Sequence, residues 1–195
     1  MKKQLSEMSL TELWELFPIV LKEHNPEYGE WYNTERDTVL SYTKDFGILR
    51  VNHIGSTAVK GLIAKPTIDI LLEVGQNCDI PRLIDVLKAQ GWLSMSSQYN
   101  PELKLAFNKG YTPDGFAEKV FHLHVRHFGD WSELYFRDYL VAHPDVALAY
   151  GELKLSLLKA FKHDRDGYTE AKMAFIERYT KKAKDEFADR YKPLL

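Results

Sequence analysis

The segment over residues 51–74 places acids, a lysine and a small-residue turn close together. Asp69 and Glu73 lie on a hydrophobic run that follows the turn Gly55-Ser56-Thr57 and the cation Lys65. Small residues let backbone N–H groups approach a phosphate closely. A lysine next to an acid-bearing strand suits an anionic ligand that is held together with a metal ion. This combination favours a nucleotide or another phosphorylated small molecule as the ligand.

Two strands are predicted to carry the polar side chains of this site. Side chains alternate between the two faces of a strand, so in residues 67–74 the isoleucines face the core and the acids face the other way. Residues 119–128 repeat this division. If the two strands are neighbours, one polar surface carries Asp69, Glu73, His122, His124 and Arg126. The alternative is an ordinary solvated sheet face, because antiparallel sheets commonly expose one side to water.

The remaining elements predict an α+β fold in which a mixed sheet is backed by helices. Ser9 and Glu12 have the spacing of a capping box, and aromatic residues recur at helical spacing over 28–46, which predicts a helix with a core-facing stripe. Further strands are predicted at 48–54, 95–99 and 104–108, with a turn-rich loop at 110–115. From about residue 130 the pattern is helical, with helices to 143, to 161 and to about 189. Residues 1–195 are expected to form a single domain.

Composition excludes several classes of function. The formal net charge is −2, which gives no strong case for nucleic-acid or anionic-membrane binding. The single cysteine, Cys78, excludes an internal disulfide framework and a metal site built from several cysteines. The N-terminus lacks a secretory signal, and no apolar run approaches the ~20 residues of a membrane span. A soluble cytoplasmic protein is therefore expected, with an oligomeric state that the sequence leaves open.

The stretch "HIGSTAVKGLIAKPTIDILLEV" resembles the GrpB family, within the DNA polymerase β-like nucleotidyltransferase superfamily. The resemblance continues through "LKEHNPEYGEWY", "FHLHV", "FRDYLVAHP", "AYGELK" and "YTEAKMAFI", and so spans nearly the whole chain. It implies a nucleotidyltransferase-like fold in which Gly55 and Ser56 form the turn that holds a triphosphate. It also implies that Asp69 is the first acid of an Asp-x-Asp motif that holds two magnesium ions.

The sequence departs from that motif at one position. The second acid of Asp-x-Asp would fall at position 71, where this chain has Leu71. The backbones of Asp69 and Glu73 are ~13 Å apart along a strand, whereas paired catalytic metals lie only ~4 Å apart. His122 and His124 lie where the resemblance implies the third acid, and imidazole suits zinc or manganese better than magnesium. The expected cofactor is a divalent metal, magnesium or manganese, with zinc as an alternative. Its candidate ligands are Asp69, Glu73, His122 and His124.

The helical tail supplies further candidate phosphate ligands. Arg137, Lys154 and Lys172 fall in segments that resemble the family. If the tail folds over the sheet, these cations and Arg126 join Lys65 around the phosphates. The alternative is that each is a solvated charge on an amphipathic helix.

Three functions fit these residues. The first is metal-dependent nucleotidyl transfer to an unknown acceptor, with Asp69 and Glu73 as the catalytic acids. The second is a non-catalytic nucleotide- or phosphate-binding module that has lost its second acid at Leu71. The third is a transition-metal site with hydrolytic chemistry that uses His122 and His124.

Overall fold

A five-stranded sheet forms the centre of the structure, a computed structural model that describes residues 3–193. The strands are β1 (Ile48–Ile54), β2 (Thr67–Val74), β3 (Leu93–Gln98), β4 (Lys104–Thr112) and β5 (Gly115–His127). Their order across the sheet is β1-β2-β5-β4-β3. The pair β2 and β5 is parallel, and the other neighbouring pairs are antiparallel. The strands that carry the acids and the histidines are therefore direct neighbours, as predicted.

Helices flank this sheet and form the C-terminal segment. They are α1 (Leu10–Leu16), α2 (Tyr28–Thr43), α3 (Ile80–Ala89), α4 (Ser132–Ala142), α5 (Pro144–Phe161), α6 (Arg165–Ala171) and α7 (Met173–Phe187). The predicted capping box begins α1: the Glu12 amide donates to Ser9 Oγ at 3.2 Å, and the Ser9 amide donates to the Glu12 carboxylate at 2.8 Å. In the part of the chain between residues 3 and 193, no helix is long and apolar enough to cross a membrane.

One face of the sheet packs against α2 and α3. The inward side chains Ile68, Ile70, Leu72 and Val74 of β2 are fully buried and belong to one cluster with Tyr28, Val39 and Leu83. Removal of this apolar surface from water is the main force that holds the helices on the sheet. The aromatic stripe of α2 therefore belongs to the core, as predicted, and the α+β class with a mixed sheet and a C-terminal helical segment is confirmed.

The opposite face is covered along part of its length. Leu71 is 0% exposed and packs with Ile54 of β1 and Leu134 of α4. Asp69, two residues earlier on the same face, keeps 27% of its side chain exposed. The face that carries the acids is thus neither one continuous polar surface nor a solvated one. It opens at the Asp69 end and is closed by α4 at Leu71.

Two elements differ from the prediction. Residues 110–115 were expected to form a loop, but β4 and β5 continue through them as a hairpin in which Thr112 pairs with Gly115. A bulge at Gly110 makes this possible, because Gly110 has a φ of +89° and a Cβ there would lie 3.1 Å from Val120 Cα. The last tail helix was expected to be continuous, but Lys172 separates α6 from α7.

Candidate functional site

Asp69, His122 and His124 lie together at the open end of the second sheet face. The parallel register places Asp69 opposite His122 and Leu71 opposite His124. His122 Nδ1 lies 3.1 Å from Asp69 Oδ1, and His124 Nε2 lies 3.7 Å from the same oxygen. The structure therefore brings together the acid and the two histidines of the predicted site.

The protonation of this cluster follows from its surroundings. Burial alone would raise the pKa of Asp69, but the hydrogen bond from His122 and the adjacent His124 ring hold that pKa well below its usual range. Burial lowers the pKa of His122, which favours the neutral form of its ring. A carboxylate can only accept, so His122 Nδ1 carries the hydrogen. The Tyr111 hydroxyl, 2.8 Å from His122 Nε2, then donates to that nitrogen.

The donor set of the cluster fits a divalent transition metal. Its three ligand atoms all lie within 4.8 Å of one another, and within residues 3–193 no other group of histidines, cysteines and acids does so. Ligand atoms around a tetrahedral zinc lie ~3.3 Å apart because each bond is about 2.0–2.1 Å long. The separations of 3.1 Å and 3.7 Å from Asp69 Oδ1 match that spacing. Two imidazoles and one carboxylate favour zinc or manganese over magnesium.

The turn after β1 is shaped around Asp69. Gly55 has a φ of +72°, and a Cβ at this position would lie 3.0 Å from Asp69 Cγ and closer still to Oδ2. The glycine therefore makes room for the Asp69 carboxylate, which sequence reasoning did not foresee. Thr57 is 2% exposed, and its hydroxyl donates to the Thr67 carbonyl at 3.1 Å and lies 3.0 Å from His53 Nε2. The Thr57 hydroxyl thus anchors the turn within the protein.

Three lysines converge on a cavity of about 220 Å³ beside the cluster. Lys65, Lys154 and Lys172 line it, together with Gly55, Ser56, Thr57, Asp69, His122 and Tyr168. Lys154 is 3% exposed, and its ammonium donates to Ser56 Oγ at 3.0 Å and to the Ile63 carbonyl. The tail does fold over the sheet at this point, so two of its three predicted cations face the turn. We call this space the lysine cavity.

The lysine cavity holds more positive charge than its single acid offsets. Burial, followed by the nearby Lys172 and Lys65, lowers the pKa of Lys154 to about 7. Burial and the cation Lys65 lower the pKa of Lys172 to about 8. Burial also lowers the pKa of Lys65. An anion in this cavity would offset both the burial cost and the mutual repulsion of the ammonium groups.

Tyr168 adds an unused hydrogen-bonding group to the lysine cavity. Its side chain is 1% exposed, and its hydroxyl has no hydrogen-bond partner in the described chain. The Lys172 ammonium lies 4.4 Å from the centre of the Tyr168 ring. Buried hydroxyls normally find partners, so a ligand in the cavity would meet a donor that is already in place.

A larger cavity of about 910 Å³ adjoins the lysine cavity and shares Gly55, Ser56 and Asp69 with it. Arg137 lines this larger space. Its guanidinium donates to the His53 carbonyl at 3.0 Å and to the Tyr191 hydroxyl at 2.8 Å. Arg137 is thus fixed by protein groups and lies outside the lining of the lysine cavity.

Glu73 lies outside the cluster, which corrects the expectation that it joins Asp69. Its carboxylate is 0% exposed and accepts from Arg50 at 2.5 Å and 2.7 Å and from the Gly129 amide at 3.2 Å. Register explains this, because Arg50 lies directly opposite Glu73 on β1. Glu73 is therefore committed to a structural ion pair.

Arg126 is also occupied away from the lysine cavity, contrary to expectation. Its guanidinium donates to the Leu105 and Val125 carbonyls at 3.1 Å and 3.0 Å and lies 5.7 Å from the centre of the Trp131 ring. Arg126 lies opposite Glu73 in the register of β2 and β5. It is two residues beyond His124 on β5, on the part of the sheet face that α4 covers.

Sequence reasoning missed Tyr111, Arg165 and Tyr168 as site residues. Tyr168 lies four residues before Lys172 on a helical pattern, a spacing that places both on one face and could have identified it. Tyr111 fell in a segment predicted to be a loop, and Arg165 in a polar turn, so neither gave a local signal.

Comparison with known proteins identifies the family. The family model described as GrpB protein matches residues 18–182. A UPF0157 protein of Pseudomonas aeruginosa is 38% identical over 131 residues, which are 67% of this chain and 53% of that protein. This chain thus spans about half the length of that relative. The glutamate-rich protein GrpB of Alkalihalophilus pseudofirmus is 31% identical over 163 residues, covering 82% of this chain and 92% of that protein.

A solved structure agrees with this match. The crystal structure of the conserved protein GrpB from Enterococcus faecalis superimposes with a TM-score of 0.72 and 30% identity, over 86% of this chain and 99% of that chain. The chain belongs to the GrpB protein family.

Proposed function

We propose that the protein binds a nucleoside triphosphate, or a related phosphorylated small molecule, together with one divalent metal ion, and transfers a nucleotidyl group to an acceptor. The observation that carries this proposal is the convergence of three lysines on the Gly55-Ser56 turn beside Asp69 and two histidines. Anionic ligands need cations and donors, and metal-bound phosphates need an acid. Both requirements meet here within one small space.

The lysine cavity would hold the phosphates. Lys65, Lys154 and Lys172 would offset their negative charge, and the Tyr168 hydroxyl would donate to one phosphate oxygen. Fixed donors aimed at developing charge are usually the largest contribution to this kind of catalysis. The nucleoside would extend into the adjoining larger cavity, which has aromatic walls at Trp131 and Phe136.

Asp69, His122 and His124 would hold the metal ion. Such an ion, when bound, stabilises negative charge on phosphoryl oxygens. With the ion held at His122 Nδ1, the ring hydrogen would lie on Nε2 instead. The Tyr111 hydroxyl would then accept from Nε2 rather than donate to it, and would fix the orientation of the ring, as second-layer groups commonly do at metal sites.

The proposed transfer is an in-line displacement. An acceptor oxygen attacks the α-phosphorus, the bond from the α-phosphorus to the bridging oxygen of the leaving pyrophosphate breaks, and the acceptor proton passes to water. The chain contributes positioning and charge stabilisation rather than a covalent intermediate. Lys154 and Lys172 would stabilise the charge that accumulates on the pyrophosphate.

A second candidate function is a non-catalytic binding module. The burial of Leu71 under α4 and the ion pair between Glu73 and Arg50 favour it, because neither position is free to supply a second acid. In that case the protein would bind the same ligand and metal without transferring any group.

The test begins with ligand binding to the whole chain. Thermal unfolding would be measured with each nucleoside triphosphate and with pyrophosphate, in the presence of Mg²⁺, Mn²⁺ or Zn²⁺. A ligand at 100 times its dissociation constant stabilises the folded state by about 2.7 kcal/mol. Lys172→Met should remove this stabilisation. Lys181→Met, which removes one charge from an exposed position of α7, is the matched control and should preserve it. Equal effects of the two variants would refute the lysine cavity as the binding site.

Activity separates the two candidates. The protein would be incubated with labelled nucleoside triphosphate, metal and a mixture of small-molecule acceptors, and transferred label would be counted. Transfer that Asp69→Asn abolishes supports the enzyme. Tight metal-dependent binding without transfer supports the binding module.

A further inference from the structure

We infer that a further cavity, which shares Lys65 with the lysine cavity, binds a planar apolar ring that carries an anionic group. This cavity has a volume of about 420 Å³, within the range of small-molecule sites. The segment around Phe17, the β4–β5 hairpin and the first turn of α2 enclose it. We call it the aromatic cavity. Its assignment as the acceptor site, argued below, rests on the proposed function.

Aromatic rings form much of its wall. The ring of Phe17 lies 4.8 Å from that of Tyr111 and 5.0 Å from that of Phe116. Tyr28 and Trp31 of α2 line another side, with their ring centres 5.6 Å apart. Rings at these distances offer both edges and faces to a planar ligand.

Two cations of this cavity have no carboxylate in direct contact. Within residues 3–193, neither the Lys65 ammonium nor the Arg165 guanidinium has a carboxylate at ion-pair distance, and Asp69 acts on Lys65 only from farther away. Arg165 reaches only the Tyr111 hydroxyl, at 3.4 Å, and its charge lies 5.7 Å from the centre of the Tyr111 ring. The two acids in the lining, Glu23 and Glu118, are exposed. The inner end therefore favours an anionic substituent, while the rings favour a planar body.

The position of the cavity identifies the role of its ligand. Lys65 and Thr67 line both this cavity and the lysine cavity. Tyr111 lines the aromatic cavity and also contacts His122 of the cluster. A ligand in the aromatic cavity would therefore lie next to the phosphates and to Asp69, as the acceptor of the transfer must.

The test uses anilinonaphthalene sulfonate, a fluorescent planar aromatic anion, as the probe. The full chain should bind it saturably and with one site. Arg165→Met removes the charge while keeping much of the apolar length of the side chain, and should weaken binding at least about tenfold, because a charged hydrogen-bond donor to the anion is lost. Ala117→Trp places a large ring at the exposed edge of the cavity and should abolish binding.

Leu148→Asn is the matched control, because Leu148 is 66% exposed on a separate apolar groove between α4 and α5. It should leave probe binding unchanged, and circular dichroism would verify that all variants are folded. Equal affinity of the parent, Arg165→Met and Ala117→Trp proteins would overturn the inference. A loss of binding confined to Leu148→Asn would also overturn it, because the probe would then occupy the other groove.

The same samples would be titrated with pyrophosphate and Mn²⁺ so that the two proposals can fail separately. Pyrophosphate binding without probe binding overturns the aromatic site and leaves the proposed function standing. Probe binding without pyrophosphate binding supports the aromatic site but overturns its acceptor role together with the proposed function. Lys172→Met should weaken only pyrophosphate, because Lys172 does not line the aromatic cavity.

Discussion

Replacement of Gly55 by alanine should lower both the stability of the fold and the affinity of the proposed metal site. The added methyl group is disfavoured by the backbone conformation of Gly55 and collides with Asp69. The backbone of Gly55 has a φ of +72°, and the new Cβ would lie 3.0 Å from Asp69 Cγ and closer still to Oδ2. Either the turn or the carboxylate must move. Since the turn is anchored through Thr57, we expect Asp69 to move out of the cluster.

The magnitude follows from the two obstacles taken separately. Gly55 combines a φ of +72° with a ψ of −175°, a region that is open almost only to glycine and costs another residue about 1–3 kcal/mol, and an overpacked site costs about 1–3 kcal/mol more. Gly55→Ala should therefore lower the free energy of unfolding by roughly 2–6 kcal/mol. Gly47→Ala is a matched control, because Gly47 has a φ of +63° but nothing within 4 Å of its added Cβ. That variant should lose only the roughly 1–2 kcal/mol of backbone strain.

Urea denaturation measures the two losses, and cobalt titration measures metal affinity by visible absorption. A double-mutant cycle with Asp69→Ala tests the cause, because removal of the carboxylate should reduce the cost of Gly55→Ala to its backbone strain of about 1–3 kcal/mol. Equal destabilisation by Gly55→Ala and Gly47→Ala, with cobalt affinity unchanged in both, would refute the assignment of Gly55 as the residue that makes room for Asp69.

Three further predictions follow from the site. Tyr111→Phe removes the hydroxyl that contacts His122 Nε2. The affinity for cobalt should therefore fall at least about tenfold, and the absorption spectrum of bound cobalt should shift. An unchanged spectrum would show that Tyr111 does not position His122. Leu71→Asp should lower the free energy of unfolding by roughly 3–5 kcal/mol, because Leu71 is fully buried, and should not restore a second metal ligand. Urea denaturation measures this loss. A variant with the stability of the parent protein would contradict the prediction. Burial and neighbouring cations lower the pKa of Lys154 to about 7, so that lysine loses its charge as the pH rises above 7. Sulfate is a suitable probe because it does not titrate in this range. The thermal stabilisation that sulfate gives should therefore decline from pH 7 to pH 9. Lys154→Met should show weak stabilisation and a smaller decline, and a constant effect of sulfate in the parent protein would count against this pKa.

Much of the site could be predicted because strands have a simple period. Alternation along β5 placed His122 and His124 on one face, and alternation along β2 placed Asp69 on the face away from the core, without any knowledge of the tertiary structure. The assumption that the two strands are neighbours then sufficed to bring Asp69 beside the two histidines, and the register confirms it. Lys154 and Lys172 were harder to predict, because a helix periodicity does not reveal which part of the sheet the helix will cover.

The roles of Glu73 and Leu71 could not be predicted, because they depend on partners distant in the chain. Arg50 faces Glu73 only through the antiparallel register of β1 and β2, and Leu71 is buried only because Leu134 of α4 lies over it. Neither contact can be predicted from the residues that neighbour Glu73 or Leu71 in the sequence.

These two contacts also explain why a second acid is absent. Arg50 and Glu73 both bond to Gly129, just before α4 begins, and so hold that helix onto the sheet. An acid at position 71 would lie unpaired beneath the same helix, at a cost of several kcal/mol. Successive positions on one face of β2 therefore carry the proposed metal ligand at 69, a packing contact at 71 and a structural ion pair at 73. On this strand the proposed metal site would be limited to Asp69, and its other protein ligands would come from β5.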